Sequence, residues 1–477
     1  MTFQSTKSEK QHKEKTDDLH KGNKNMEHIE LTREQVDSQV NSQKMVVCQS
    51  LEGKVLHVAR VNVEEVVARL EGMVSADTGI NELILERIPI NTIVESLLMR
   101  LLRRTDRTWR YLKLVDCIRE SLDERDGVVR TAFDSSLFNI QRLFLQTATN
   151  NRDTNLYFLP VEASLWVPSL RLCISNLDET LADTLVSALK STTTLAELSL
   201  SGSRRCGLQI AKIAEALEVN QSLVKLDFGD CMLNDHGMSR LVAALQGHAK
   251  LKRLDLSNNS WSDQTLLALN GLLLKGNCGV EVLDLSLQRC PLNVSLLAPA
   301  LAQPNSGLKQ LYLSNCGLND EGTFPIIDSL TQNRTLEILD LSTNRQLSDR
   351  FLIYLAGHLP QLTLKQLNIR KLQPPNGSLA AMTALSEGMR QNTSIQILRL
   401  LSWKQLRPAH LIQIYVNLNR GGRRALEEKI PLALWPLVFE RAHKRFYFCP
   451  FLKQPNAKED AMFHLFRNEP ALWRRNG

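Results

Sequence analysis

Cysteine is scarce in this chain, with nine residues among 477, and no two of them form a Cys-x-x-Cys pair. A disulfide scaffold needs a denser set and a zinc site needs paired ligands, so we expect reduced thiols. No stretch approaches the ~18 consecutive apolar residues of a membrane span, and the first residues, MTFQSTKSEKQHKEKTDD, lack the apolar core of a secretory signal. These absences predict an intracellular protein that contacts no membrane, cytoplasmic with the nucleus as the alternative location.

The signatures of common enzymes are missing as well. The chain contains no G-x-x-x-x-G-K-[ST] phosphate loop, no G-x-G-x-x-G, no H-E-x-x-H and no G-x-S-x-G. Its ten histidines are scattered, and none lies at metal-ligand spacing with a cysteine. The sequence therefore predicts a protein that is not an enzyme, with no catalytic residues, no cofactor and no metal site.

What the chain does contain is an apolar pattern, L-x-x-L-x-L, that recurs along its middle. Eight regular copies begin at residues 195, 223, 251, 280, 308, 336, 364 and 395. Four less regular copies continue the same phase upstream, beginning at Ile80, Trp109, Ile140 and Val167. The pattern alternates as a strand does, whereas the apolar residues that follow it have helical spacing. Each unit of about 28 residues is thus predicted to be a strand, a turn and a helix.

Such units cannot bury their apolar residues alone, so neighbouring units must stack. Parallel strands then lie ~4.8 Å apart, whereas helices need ~10 Å, and the stack bends with the strands inside. The expected fold is an α/β solenoid, a horseshoe of about 12 repeats with parallel strands on the concave side and helices on the convex side.

The repeats carry a family resemblance. Units such as LKQLYLSNCGLNDEGTFPIIDSLTQNRT at 308–335 resemble ribonuclease-inhibitor-type leucine-rich repeats, and the resemblance covers about Ile80 to Leu400. The tail segments 417–444 and 462–472 are similar to a segment that follows such repeats in predicted algal proteins, apart from the stretch Phe446–Leu452. The resemblance of the tail implies no known activity.

Composition divides the chain into four parts. Residues 1–45 hold 8 basic and 8 acidic residues with few aromatics, and we expect them to be disordered. Residues 46–79 are expected to be an N-terminal cap or a degenerate first repeat, and 80–403 the array. From Lys404 onward the chain has 14 Lys and Arg against 6 Asp and Glu, while the remainder has 44 against 45. Residues 404–477 are therefore a basic helical module, interpreted either as a cap or as a docking site for a second partner.

A small polar residue follows the last strand leucine by three positions in several repeats. It is cysteine or asparagine at Cys117, Cys231, Asn259, Cys316 and Asn344. A buried side chain there can bond backbone groups of the turning loop that would otherwise remain unpaired. We predict a structural ladder of such bonds between repeats.

Residues that alternate with the strand leucines point to the concave side. The predicted protein-binding residues, at the two such positions of each strand, are Lys225, Asp227, Arg253, Asp255, Asp284, Tyr312, Ile338, Asp340, Asn368 and Arg399. The aspartates allow two interpretations. Since L-D-L-S is a common strand sequence of this repeat class, they are either consensus residues without a partner or an acidic trough for a basic protein.

Three hypotheses for the function follow. The first is an adaptor whose concave face binds a protein of unknown identity. The second is a small-GTPase regulator resembling GTPase-activating proteins, which needs an exposed arginine such as Arg204 or Arg205. The third and least favoured is nucleic-acid binding through the basic tail, because its basic residues are spread among apolar helices.

Overall fold

The computed structural model describes the regular repeats almost continuously and earlier parts of the chain in segments. The described residues are 29–31, 46–50, 55–59, 61, 63–75, 80–90, 92–102, 109–115, 118–119, 142–147, 168–174, 177, 179–203, 205–275, 279–289, 291–304, 306–372, 378–400, 407–423 and 440.

Fifteen of the described strands form one sheet in chain order. The strands of this sheet are β1 Ile29–Leu31, β2 Val46–Ser50, β3 Val55–Ala59, β4 Glu82–Glu86, β6 Tyr111–Val115, β8 Arg142–Thr147, β9 Ser169–Ile174, β10 Glu197–Ser199, β11 Lys225–Asp227, β12 Arg253–Asp255, β13 Val282–Asp284, β14 Gln310–Tyr312, β15 Ile338–Asp340, β16 Gln366–Asn368 and β17 Ile397–Arg399. Two short strands, β5 Pro89–Ile90 and β7 Ile118–Arg119, pair with each other. Neighbouring strands of the large sheet are parallel except for the antiparallel pair β2–β3. Each predicted L-x-x-L-x-L segment contributes a strand to it.

Helices connect the strands and pack against one another in chain order. Those in the described residues are α1 Val63–Ser75, α2 Thr92–Leu102, α3 Glu179–Ser191, α4 Cys206–Val219, α5 Asp235–Ala244, α6 Asp263–Leu274, α7 Ala298–Leu301, α8 Asp320–Leu330, α9 Asp349–His358, α10 Leu379–Gln391 and α11 Arg407–Gly421. The unit after β13 departs from the rest, since a 3-10 turn at Val294–Leu297 precedes its short helix. The alternation of parallel strands with helices confirms the predicted α/β solenoid.

The strand leucines form one continuous core. Successive repeats pair in register, so that Leu226, Leu254 and Leu283 lie side by side at the centre of their strands. Each of these three side chains is 1% exposed. Burying one leucine contributes roughly 1.5–3 kcal/mol, and repetition of this contribution along the array holds the units together.

The turn that follows each strand contains the predicted ladder. In the best-formed step, Asn259 Oδ1 accepts hydrogen bonds from the backbone N–H groups of Cys231 (3.2 Å) and Leu233 (2.9 Å) in the preceding repeat. Its Nδ2 donates to the carbonyls of Phe228 and Leu256, each at 2.9 Å. The ladder prediction is therefore confirmed for this step.

The remaining steps of the ladder vary with the side chain. Asn344 repeats the arrangement with Cys316 N and Leu318 N, while the thiols of Cys231 and Cys316 each donate to a carbonyl of the preceding repeat at 3.1 Å. Burial raises the pKa of Cys316 to about 12, so its thiol keeps the proton that it donates. Gln288 also occupies this position, which the sequence analysis overlooked, and Cys117 lies outside the described residues.

A second set of inter-repeat bonds lies where helices end. The buried amides of Asn220, Asn333 and Asn392 each donate to the carbonyl of a leucine about one repeat earlier, at 2.7–2.8 Å. These bonds satisfy carbonyls that the preceding helix leaves unpaired. The ladder at the strand ends and these amides fix neighbouring units at both ends of the strand.

Carboxylates at helix starts form a third set of links. Asp235 Oδ1 accepts from the Ser262 N–H and the Thr265 hydroxyl of the next repeat, each at 2.8 Å. Burial alone would raise the pKa of Asp235, but the hydrogen bonds from these two residues outweigh it and lower the pKa. Asp320 bonds the amide of Ser348 in the same way, at 2.8 Å.

The N-terminal part differs from expectation at its first strand and otherwise contains a strand–helix unit of the kind expected of a degenerate first repeat. Ile29–Leu31 is a strand, so the prediction of disorder for residues 1–45 is wrong for these three residues. They extend the sheet by pairing with β2, which explains their order. Val55–Ala59 is a further strand parallel to β4, and α1 follows it, so a strand–helix unit precedes the predicted array.

The C-terminal helix α11 packs on α10 as the helix of a further repeat would. Asn419 donates to the carbonyls of Asn392 and Ile395, each at 3.0 Å, and Arg420 Nε donates to the carbonyl of Gln396. In the preceding repeat the equivalent carbonyl, that of Lys365, accepts the backbone amides of the next strand. Arg420 therefore takes the place of a following strand. The rest of the predicted helical module, residues 424–477, lies outside the described residues apart from residue 440.

Candidate protein-binding face

The side chains on the concave face are arranged in rows that run across the strands. We call Asp227, Asp255, Asp284, Tyr312, Asp340, Asn368 and Arg399 the inner row, because each pairs in register with the next. A second row, two residues earlier in each strand, contains Lys225, Arg253, Val282, Gln310, Ile338, Gln366 and Ile397. The predicted binding residues thus share one face of the sheet.

Each aspartate of the inner row ends its strand by a local hydrogen bond. The backbone N–H two residues later donates to Oδ1, as from Ser257 to Asp255 at 3.1 Å and from Ser286 to Asp284 at 3.0 Å. This bond is a turn that aspartate and asparagine favour. The aspartates therefore have a structural role that does not depend on a ligand.

The second carboxylate oxygens differ along the row. Asp227 Oδ2 accepts from Ser199 at 2.8 Å, and Asp340 Oδ2 accepts from Asn368 at 2.7 Å. Asp255 Oδ2 lies 3.9 Å from Arg253. Within the described residues, the second oxygen of Asp284 receives no hydrogen bond. Among the four aspartates of the row, Asp284 therefore has the carboxylate with the fewest contacts to its second oxygen.

Two of these carboxyl groups resist ionisation. Burial raises the pKa of Asp284, and the adjacent charge of Asp255 raises it further. The hydrogen bonds from Ser286 lower it, but by less. Burial also raises the pKa of Asp227, with Asp255 adding to the effect. A positive charge placed over Asp255 would offset the repulsion that Asp255 exerts on both Asp227 and Asp284.

Tyr312 lies between two carboxylates, opposite Asp284 on one side and Asp340 on the other. Its hydroxyl donates to Gln310 at 2.9 Å, its ring is half-buried, and burial raises its pKa. The half-exposed Val282 and Ile338 flank Gln310 in the second row. The middle of the face therefore combines an aromatic ring, aliphatic side chains and carboxylates.

The comparisons with known proteins point to one family for the repeats. No family model matches the chain. The ribonuclease inhibitor of Mus musculus is 26% identical over 234 residues, which is 43% of this chain and 51% of that protein. NACHT, LRR and PYD domains-containing protein 14 of Mus musculus is 32% identical over 174 residues, 35% of this chain and 17% of that protein. The array is a leucine-rich repeat of the ribonuclease-inhibitor type.

The matches are partial. The chain spans about half the length of the ribonuclease inhibitor and about a fifth or less of the NACHT proteins. Among solved structures, yeast Rad7 in complex with Elc1 gives a TM-score of 0.37 at 19% identity, over 54% of this chain and 63% of Rad7. An internalin of Listeria monocytogenes gives 0.36 at 14%, over 73% and 92%. The similarity of the tail to algal proteins stays a prediction.

The predicted binding residues of the leucine-rich repeats differ in their exposure to solvent. Lys225 and Arg399 are exposed, and the other predicted binding residues are half-exposed apart from Asn368, which is 6% exposed. Asn368 therefore presents little surface and serves to hold Asp340 in place.

Serines of the leucine-rich repeats were missed by the sequence analysis. Two residues after the inner row, Ser342 Oγ donates to Asp340 Oδ1 at 2.6 Å and lies 3.0 Å from Ser314 Oγ, whose hydroxyl can donate to it. The signal was a serine two residues after the inner row in four successive repeats, three of which read L-D-L-S and one L-Y-L-S. Hydroxyl groups thus extend the polar surface beside the aspartates.

A charged row at the first variable position was also missed. Lys252, Glu281 and Lys309 form ion pairs of 3.0 and 2.7 Å, and Glu337 pairs with Lys365 at 2.5 Å. Hydrogen bonds from Lys309 and then Lys252 lower the pKa of Glu281. The sequence signal was the strict alternation of lysine and glutamate at this position.

Neither a metal centre nor a membrane span emerges from the described part of the leucine-rich repeats. No group of three or more His, Cys, Asp or Glu side chains in that part could hold a metal ion. Its helices are too short or too polar to cross a bilayer.

Proposed function

We propose that this protein is a non-enzymatic interaction scaffold that binds a protein on the concave face of its leucine-rich repeats. The observation that carries the proposal is the inner row, seven side chains in continuous register on the open face of a parallel sheet. One relative is named for inhibition of a ribonuclease, which is itself a protein.

The centre of the proposed interface is Asp255, Asp284, Tyr312 and Asp340. Aromatic residues dominate binding hot spots, and Tyr312 is the aromatic residue of the inner row. Clustered carboxylates favour a partner that presents basic side chains, since opposite charge steers encounter. Ile338 and Arg253 supply aliphatic and cationic contacts beside them.

The GTPase-regulator hypothesis receives less support. Arg205 is exposed at the start of α4, whereas Arg204 lies outside the described residues. A single exposed arginine is a weak sign of a group that enters a nucleotide site. A GTPase turnover assay with the full chain separates this hypothesis from a scaffold.

For the tail, we favour a cap that continues into residues beyond α11, and the alternative is a docking module. Asn419 and Arg420 support the cap, because they bond the last repeat as a further repeat would. Nucleic-acid binding through the tail stays the least favoured hypothesis. A cytoplasmic location, with the nucleus as alternative, is proposed from the sequence alone.

The scaffold proposal is tested by affinity purification with the full chain and two variants. The concave variant carries Asp255→Asn, Asp284→Asn and Tyr312→Ala, and the matched control carries Glu218→Gln, Asp263→Asn and Leu267→Ala on the helical side. We expect the native chain and the control to retain the same partners. The concave variant should lose them. Kinetics with a recovered partner should show slower association and a weaker salt dependence. Equal recovery by the two variants would refute the proposal.

A further inference from the structure

The concave face changes its charge at the last two repeats. Beyond Asp340 the inner row continues with Asn368 and ends with Arg399, and two more cations, Arg370 and Lys371, follow Asn368 in the chain. The three cationic side chains are exposed. We call Arg370, Lys371 and Arg399 the basic corner.

The backbone places these cations close together. Arg399 pairs in register with Asn368, and its carbonyl accepts the N–H of Ile369 at 3.1 Å. Arg370 lies two residues after Asn368, at the position from which Ser257 and Ser342 contact the inner row in other repeats. Positions related in this way on neighbouring strands are ~7–8 Å apart, so one short segment of a partner can contact both arginines.

Lys371 occupies a backbone conformation that costs a lysine more than a smaller residue. Its φ is +57°, and the backbone at the same position of seven other repeats also has positive φ. The residues there are Arg87, Gly202, Asp230, Asn258, Leu287, Asn315 and Thr343. The conformation therefore belongs to the turn of the repeat, and it places the lysine at the exposed end of the strand.

Nothing in the described residues neutralises the corner. None of its three side chains forms an ion pair there, in contrast to the Lys252–Glu281–Lys309 row. The nearest carboxylate of the inner row, Asp340, accepts from Ser342 on Oδ1 and from Asn368 on Oδ2. Among the described residues, no ion pair therefore compensates the positive charge of this exposed corner.

We propose that the basic corner binds an acidic peptide segment of the protein that the inner row holds. This inference rests on the proposed function, because it assigns opposite charges to two parts of one partner. The partner then presents basic side chains to Asp255, Asp284 and Asp340, and acidic side chains to Arg370, Lys371 and Arg399.

A polypeptide fits this surface better than a nucleic acid does. Asp340 lies two strands from Arg399, roughly 10 Å away at the usual strand spacing. A nucleic-acid backbone carries a charge at every nucleotide, and a strand running along the face would meet Asp340 about one Debye length from the corner. A peptide can reverse its charge within that distance.

The test uses the full chain with fluorescein-labelled hexaglutamate and hexalysine peptides, followed by fluorescence anisotropy at low ionic strength. The corner variant carries Arg370→Gln, Lys371→Gln and Arg399→Gln. Its control, of equal net charge, carries Lys190→Gln, Arg240→Gln and Lys250→Gln, which are exposed cations away from the face. We expect the corner variant to weaken hexaglutamate binding about tenfold or more, against less than about twofold for the control.

The outcomes are distinct for the two proposals. Equal weakening of hexaglutamate binding by the two variants would show an effect of net charge and overturn the inference. Equally tight, corner-dependent binding of a 12-nucleotide oligothymidylate would also overturn it. In a third variant with Asp255→Asn, Asp284→Asn and Asp340→Asn, hexalysine binding should weaken and hexaglutamate binding should persist. If hexalysine binding is unchanged there and hexaglutamate binding still depends on the corner, the basic contact of the proposed function fails while the corner stands. Thermal unfolding of each variant confirms that it folds.

Discussion

Asp255 and Asp284 lie directly opposite each other on strands β12 and β13, two carboxylates in register on the concave face. Each is held by the amide two residues later in its own chain segment. The fold thus contains a repulsive contact between two like charges. A neutral side chain of the same shape would remove this repulsion, so the contact should lower the free energy of unfolding of the array.

Asp284→Asn should raise stability at neutral pH, because asparagine still accepts the Ser286 N–H and carries no charge against Asp255. The folded-state pKa of Asp284 is raised, so ionisation destabilises the native chain once pH exceeds the ordinary aspartate value, and the penalty is complete above the folded pKa. We expect a gain of up to ~1 kcal/mol at pH 7 that disappears below about pH 4. Urea unfolding midpoints at both pH values measure it. Asp284→Ala, which loses the bond, should be less stable than Asp284→Asn, and a destabilised Asn variant at pH 7 would contradict the argument.

Asp235→Asn should lower stability at pH 7 by ~1 kcal/mol, since it removes a charge from a helix start and from two inter-repeat bonds. The folded pKa of Asp235 is lowered, so its contribution is complete above the ordinary aspartate pKa and is lost as pH falls through the folded value. The difference between native and variant chains should therefore shrink below about pH 4. Glu218→Gln, an exposed helical acid, is the control and should change the unfolding midpoint little at either pH.

Asn259→Ala should be among the most destabilising single changes, because it removes the partner of two buried N–H groups and of the Phe228 carbonyl, whereas the Leu256 carbonyl keeps its bond from Gln288. A loss of roughly 2–4 kcal/mol is expected from such unsatisfied groups. Asn259→Cys should cost less than alanine, since Cys231 and Cys316 donate from the same position. Equal losses for the two substitutions would mean that the donated bond contributes nothing.

Leu287→Asn should stabilise the fold although it removes an apolar side chain. Leu287 is 49% exposed and has a φ of +62°, in a position that Asn258 and Asn315 hold in neighbouring repeats. Asparagine tolerates this region better, and we expect a gain of about 0.5–1 kcal/mol in thermal or urea unfolding. Leu267→Asn tests the explanation. Leu267 is 55% exposed but lies within helix α6, where it has no positive φ whose strain asparagine could reduce. A similar gain there would attribute the effect to exposure alone.

Asn419→Ala with Arg420→Ala should loosen the C-terminal end of the array before the rest. The two side chains bond three carbonyls of the last repeat, and no later strand replaces them in the described residues. Hydrogen exchange should accelerate in residues 378–400 and stay unchanged in 223–275. Uniform acceleration over both regions, or none in either, would contradict a local capping role.

The period of the leucines was sufficient to predict every strand from β4 to β17 outside the short β5–β7 pair, because strand leucines repeat at fixed spacing and bury their side chains. The same argument placed all ten candidate residues on one face, since alternation decides which side of a strand a residue occupies. Whether that face binds a protein is a separate question that periodicity does not address.

Other features lay beyond the sequence pattern. Strand Ile29–Leu31 forms through pairing with β2, and its alternation of apolar and polar residues covers three positions, which is too short to predict a strand. Gln288 was overlooked because its side chain differs from the asparagine and cysteine of the ladder, although it bonds two of the same kinds of carbonyl. The burial of Asn368 depends on its contact with Asp340 in the neighbouring strand, which no local rule specifies.

The alternating row of Lys252, Glu281, Lys309, Glu337 and Lys365 has a consequence for how the gene could change. A recombination that deleted one unit from this stretch would bring two lysines or two glutamates to adjacent positions. Deletion or duplication of two units together would preserve the alternation. The array should therefore lengthen or shorten in pairs of repeats over this region.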